Sequence, residues 1–188
     1  MPTDPRWVNL ASMDLEEILT DHAYCEQKAA SACISLVQQY PDKPELVENV
    51  SPVVTEEWGH FRMVVKEMNK RNLKLGFQRK DEYVAALQKF QKKGGSRDER
   101  LVEQLLTCAL IEARSCERFR LLSLQLEEAS LREFYHHFMV SEAGHYHMFL
   151  QLAERYASKE YVRSRWQEYL DHEAGILGNL QPRGDRMH

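Results

Sequence analysis

Two short stretches of this chain pair a carboxylate with an imidazole at the same spacing, EEWGH at 56–60 and SEAGH at 141–145. In each, a glutamate precedes a histidine by three residues: Glu57 with His60, and Glu142 with His145. Three residues of helix turn through about 300°, which leaves the two side chains about 60° apart on one face. Apolar residues share those faces, Val53, Val64 and Met68 around the first pair and Met139, Phe149 and Leu152 around the second. A face of that composition points inward and carries its carboxylate and imidazole with it.

Two further glutamates sit alone on apolar stripes of three- and four-residue spacing. Glu26 lies among Leu19, Ala23, Ala30, Cys33 and Val37; Glu112 lies among Leu101, Leu105, Ala109, Cys116 and Phe119. Glu26 precedes Glu57 by 31 residues and Glu112 precedes Glu142 by 30, so the halves read as repeats of one helical hairpin. Glu117 is the alternate for Glu112, since Cys116 precedes it as Cys25 precedes Glu26. The two lie about 140° apart on the wheel, so one of them at most faces inward; the repeated spacing favours Glu112.

Four buried carboxylates without cations are too costly to persist as packing. Two divalent metal ions balance their charge, with the imidazoles as neutral ligands, and oxygen and imidazole donors suit iron or manganese. One Glu from each of two helices plus Glu-x-x-His from each of two others is the donor set of dimetal carboxylate bundles. Glu56 and Ser141, each just before a motif glutamate, are candidates to orient a ligand histidine from behind. Gly59 and Gly144, beside the histidines, weaken a helix by about 1 kcal/mol each relative to alanine; close helix packing is the expected reason.

The elements that must position these groups are helices. Prolines fall only in the first five residues, at 41–52 and at 182, and the stretches between show helical periodicity. Helices are expected over about 12–40, 44–72, 98–127, 129–157 and 159–178. Between the second and third, residues 73–97 read as an extended or looped piece, a short helix in KDEYVAALQKFQ, and a flexible KKGGSRD turn. The expected fold is all-α: a four-helix bundle with one crossover connection and additional helices, residues 1–188 forming a single domain.

Composition narrows the class. The 188 residues are 43% hydrophobic and 29% charged, and an apolar run of about 18 residues is lacking. The N-terminal sequence has no signal-peptide pattern, so a cytoplasmic protein is expected. Cys25, Cys33, Cys108 and Cys116 form no CxxC, which argues against a rubredoxin-like iron site and for small buried thiols. Net charge is −4, yet residues 62–100 hold twelve Lys/Arg against five acids, a local +7. That imbalance suits a polyanionic partner.

Four segments together, HAYCEQKAA, EEWGHF, IEARSCERF and SEAGHYHMF, resemble the MiaE family of tRNA hydroxylases, and the likeness extends over about residues 7–180. The resemblance implies a ferritin-like fold and a non-haem di-iron monooxygenase. Its substrate would be the isopentenyl group of 2-methylthio-N6-isopentenyladenosine in tRNA. Two iron ions, O2 and electrons from a separate reductase system would be needed. The implied ligands are Glu26, Glu57, His60, Glu112, Glu142 and His145. Several di-iron oxygenases carry a threonine four residues after the third-helix glutamate; here Cys116 stands there, and a thiol is the poorer hydrogen-bond donor. The tRNA is expected to meet Lys74, Arg79, Lys80, Lys89, Lys92 and Lys93. The competing readings are a ferritin- or rubrerythrin-like peroxidase or ferroxidase and a non-enzymatic metal-binding or interaction protein.

Overall fold

A computed structural model describes residues 1–179 and 183–187. The described residues form seven α-helices and no strand. They are α1 (Arg6–Met13), α2 (Leu15–Gln39), α3 (Pro44–Lys70), α4 (Glu82–Phe90), α5 (Arg97–Gln125), α6 (Ala129–Tyr156) and α7 (Lys159–Asn179). The expected first helix at 12–40 is α2, and a further helix, α1, precedes it. Asp14 separates the two, its side chain accepting from the Glu17 backbone N–H at 3.1 Å to cap α2. The signal was in the sequence, an Asp with Glu three residues on, which is a helix-start pattern. Pro44 opens α3, where its missing N–H costs nothing. Ser96 and Glu99 form a reciprocal capping box that starts α5 right after the glycine turn.

The chain divides into two compact units, with α1 running from one into the other. The first unit comprises Asn9–Lys80 and Arg183–Met187. Its centre is the α2–α3 hairpin, whose inner stripes of Leu19, Ala23, Ala30, Cys33, Leu46, Val50, Val53, Val64 and Met68 are all buried. After α3 the chain runs extended and returns along α2. Tyr24 donates its hydroxyl to the Gly76 carbonyl at 2.9 Å, and the Gly76 N–H donates to Thr20 Oγ1 at 3.3 Å. The C-terminal segment folds back on the same helix: the Met187 N–H donates to Asp21 Oδ2 at 2.8 Å.

Among the described residues, the second unit comprises Met1–Val8 and residues 81–179. The α5–α6 hairpin is its centre, and α4 and α7 pack on it. Two buried ion networks tie these elements. Arg165 of α7 clamps Glu103 of α5 through Nε–Oε1 at 2.7 Å and Nη2–Oε2 at 2.8 Å, and also donates to the Phe90 carbonyl at 3.0 Å. Tyr169 donates to Glu103 Oε2 at 2.9 Å. Arg114 of α5 donates to Glu173 of α7 at 3.0 Å and to the Met1 carbonyl at 2.9 Å, while Tyr83 of α4 donates to Glu173 at 2.7 Å. Within residues 73–97 the short helix expected in KDEYVAALQKFQ is α4, and the Lys92 N–H after it is fixed to Glu103 Oε2 at 3.0 Å.

Candidate metal centre

Each unit carries one triad of the same composition. In the first, Glu26 comes from the middle of α2 and Glu57 and His60 from α3; all three are buried. Their ligand atoms lie within 4.8 Å of one another. His60 Nδ1 stands 3.3 Å from Glu26 Oε2 and 3.5 Å from Glu57 Oε2, so Nδ1 is the nitrogen turned to both carboxylates. The other nitrogen, Nε2, is 4.0 Å from Glu56, a half-exposed residue of the same helix. Glu56 thus lies one turn from the histidine of its own helix.

In the second unit, Glu112 comes from α5 and Glu142 and His145 from α6, again buried and with ligand atoms within 4.8 Å of one another. His145 Nδ1 stands 3.5 Å from Glu142 Oε2, the same separation as in the first triad. The repeat in sequence is thus a repeat in geometry. Glu117 is placed elsewhere. It is partly exposed, accepts from the Thr3 N–H at 2.9 Å and hydroxyl at 2.6 Å, and pairs with Arg114.

The surroundings bear on the same groups. His22, fully buried and four residues before Glu26, puts Nε2 2.7 Å from Glu26 Oε1. This contact was not anticipated, although positions four apart on a helix face meet and His22 stands at that offset from the singled-out Glu26. Cys116 donates to the Met139 carbonyl at 3.4 Å; burial pushes its thiol up, and the Glu142 charge adds to the effect. Burial likewise pushes Cys108 up to about 12, with Glu112 contributing. Both thiols stay protonated at neutral pH, and none of the four cysteines is in a disulfide among the described residues. Ser141 is half-buried.

The expected reason for the two glycines does not hold. A Cβ built at Gly59 or Gly144 meets nothing within 4 Å, so neither position is a close-packing contact. The basic residues divide by unit. Lys74 and Lys80 are exposed in the first, and Lys89, Lys92 and Lys93 in the second, where Lys92 Nζ sits 5.6 Å over the Tyr161 ring. Arg79 is not offered to a partner: it pairs with the Glu17 carboxylate and donates to the Glu17 carbonyl at 3.0 Å and the Asp185 carbonyl at 2.9 Å. Its role is to hold the extended segment against α2.

A three-donor set of two carboxylates and one imidazole, buried and converging, fits a hard or borderline divalent metal in each unit. A partly exposed carboxylate cluster holds itself apart through hydration; these glutamates are between 1% and 5% exposed.

The comparisons with known proteins agree with this reading. The chain is 37% identical to the tRNA 2-(methylsulfanyl)-N(6)-isopentenyladenosine(37) hydroxylase of Pseudomonas putida over 158 residues, 84% of this chain and 76% of that protein. It is 28% identical to the Salmonella typhimurium hydroxylase of the same description, covering 94% of this chain and 82% of that protein. A solved structure, "Protein 43 with aldehyde deformylating oxygenase activity" from Synechococcus, superposes with a TM-score of 0.93 at 34% identity, over 100% of this chain and 93% of that one. The fold is all-α and ferritin-like, a four-helix bundle with additional helices. Over residues 1–188 the chain matches the family described as tRNA-(MS2IO6A)-hydroxylase (MiaE), and it belongs to that family.

Proposed function

We propose that this protein hydroxylates the isopentenyl group of 2-methylthio-N6-isopentenyladenosine in tRNA. The two triads, Glu26/Glu57/His60 and Glu112/Glu142/His145, would act together as one di-iron site within a single domain. The observation that carries this is the matched, buried Glu plus Glu-x-x-His set in each unit, in a chain of the hydroxylase family. Four carboxylates supply four negative charges, which two divalent ions balance. The hydroxylase activity of the Pseudomonas and Salmonella relatives supports the substrate.

Two iron ions held by these residues would supply the capacity to use O2 with two external electrons and two protons, so that one oxygen atom is inserted into a C–H bond and the other becomes water. The chain's own residues do the rest. The carboxylates and the two Nδ1 atoms fix the ions. His22 holds Glu26 through Oε1 and leaves Oε2 turned toward His60. Phe149, Leu152, Val53 and Val64, all buried beside the ligands in sequence, keep water out. Cys116 donates its S–H as a hydrogen bond to the Met139 carbonyl, so proton delivery from that position is not favoured. Electrons come from a separate reductase, and a tRNA substrate places the work in the cytoplasm. No helix of the described residues is long and apolar enough to cross a membrane.

The test is direct. Iron-loaded protein, with a reductant and air, is incubated with prenylated tRNA and the nucleosides are separated by mass. Formation of the hydroxylated nucleoside supports the proposal. A second reading, oxygen-dependent deformylation of an aldehyde, is favoured by the Synechococcus relative's named activity; turnover of aldehyde but not tRNA in the same assay would select it.

A further inference from the structure

One large aromatic stands almost wholly in water. Phe77 is 94% exposed, more than any other large apolar residue described. Nothing about it is loose. The residue before it, Gly76, has both backbone polar groups tied to α2, its carbonyl to Tyr24 at 2.9 Å and its N–H to Thr20 at 3.3 Å. A Cβ at Gly76 would press to 3.3 Å from Thr20 Cγ2, so the segment lies close against α2 here. Successive side chains of an extended segment point to opposite faces; the Cβ position of residue 76 faces Thr20, so the side chain of residue 77 faces outward. Two residues further on, Arg79 fixes the strand again, to Glu17 and Asp185. Phe77 is therefore a solvent-facing ring on a backbone held between two anchors.

Its neighbours are basic. The segment 71–80, RNLKLGFQRK, carries no acid. Arg71 is committed to Glu67, and Arg79 to its anchors. Lys74 and Lys80, three residues to either side of Phe77, are exposed and make no ion pair among the described residues. An exposed ring flanked by free ammonium groups is how sequence-tolerant single-stranded nucleic acid is held: the ring stacks on a base and the cations take the flanking phosphates.

We infer that Phe77 is a stacking platform for an unpaired base of the RNA substrate, with Lys74 and Lys80 as its phosphate contacts. This rests on the proposed tRNA reading and adds to it the recognition element within the first unit. The base concerned is a neighbour of the modified one, not the modified one itself. Tyr24, which pins the strand, lies about 200° around α2 from Glu26, so the strand crosses the face of α2 turned away from the ligand glutamate. It crosses at a nearby level: Thr20 and Tyr24 are only about 9 and 3 Å of helix rise from Glu26. A ring there is too far around the helix to meet the reacting group, so the nucleotide it takes is a different one of the same single-stranded loop.

The test uses the full-length protein and a fluorescein-labelled 17-nucleotide anticodon stem–loop RNA, read by anisotropy between 50 and 200 mM KCl. Phe77→Ala removes an exposed ring and leaves folding intact. Its Kd is expected to rise about 5- to 150-fold at fixed salt, with the salt slope unchanged. The Lys74→Gln/Lys80→Gln pair is expected to flatten that slope by about 1.4, roughly 0.7 for each lost phosphate contact. Phe77→Trp keeps the affinity, and its added fluorescence is quenched when RNA binds. The inference is overturned if Phe77→Ala binds as wild type does, or if wild type shows no binding. It is also overturned if sedimentation shows that Phe77→Ala dissociates a dimer, which would make the ring a contact between copies. Hydroxylation of tRNA by wild type is measured in parallel. Hydroxylation with unchanged Phe77→Ala binding sinks the stacking role alone; no hydroxylation with weakened binding sinks the reaction alone.

Discussion

Replacing Arg165 by methionine strands one of the best-defined buried charges in the molecule. Arg165 and Glu103 are 2% and 1% exposed and joined by two hydrogen bonds of 2.7 and 2.8 Å. Removing one partner of such a pair costs about 3–5 kcal/mol, because the other charge stays buried. Here the Tyr169 hydroxyl at 2.9 Å and the Lys92 N–H at 3.0 Å still serve Glu103, which argues for the low end, about 3 kcal/mol. For a chain of this length that is a fall in Tm of roughly 6–12 °C. Thermal scans and urea titrations of wild type and Arg165→Met measure it. Adding Glu103→Gln to Arg165→Met removes the stranded charge, and at least half of the loss should return.

The same pair sets a pH dependence. Although burial alone would raise it, hydrogen bonding from Arg165 holds Glu103 below the ordinary glutamate value. A carboxyl depressed in the folded state stabilises fully above its unfolded pKa of about 4.3 and loses that contribution as pH falls through the lower folded value. The gap between wild type and Arg165→Met should therefore be full at pH 7 and narrow below about pH 4. A variant within 1 kcal/mol of wild type at pH 7, or a gap that widens on acidification, would refute the reasoning.

Other outcomes follow from the placements described. Glu112→Gln should lower the iron bound per chain, whereas Glu117→Gln, which only loosens the Thr3 and Arg114 contacts, should leave iron content intact and lower stability by about 1–2 kcal/mol; colorimetric iron assay and urea titration separate them. His22→Ala should weaken iron retention against a chelator about 10- to 100-fold, with His22→Gln losing less because a donor survives. Equal iron retention in all three proteins would show His22 to be packing only. Gly59→Ala and Gly144→Ala should each raise stability by about 0.5–1 kcal/mol, since a methyl meets open space at both; a loss of stability on unfolding would contradict this.

Much of this was legible in the sequence because buried charge is so improbable without a purpose. Glu26, Glu57, Glu112 and Glu142 stood out against apolar stripes, and the matching 31- and 30-residue spacings exposed the repeat. Helix α1 was missed because its apolar positions run almost in phase with those of α2, and only the Asp14 cap separates them. The glycines misled: a helix-weakening residue beside a ligand suggests crowding, but crowding depends on what lies across from it, which no single-helix pattern contains. Arg79 was expected among the RNA contacts by charge alone. Its carboxylate partners, Glu17 and Asp185, are 62 and 106 residues away in the chain. Phe77 carried no signal either, since an isolated aromatic in a loop reads as buried until its exposure is known.

The most direct test of the central claim is the origin of the new hydroxyl oxygen. Prenylated tRNA is treated with iron-loaded, reduced protein under oxygen-18 gas, and the adenosine products are weighed. A di-iron monooxygenase predicts a hydroxylated isopentenyl nucleoside carrying one oxygen-18 atom, and no product from Glu142→Ala. An unlabelled hydroxyl, an unchanged nucleoside, or equal turnover by Glu142→Ala would contradict it.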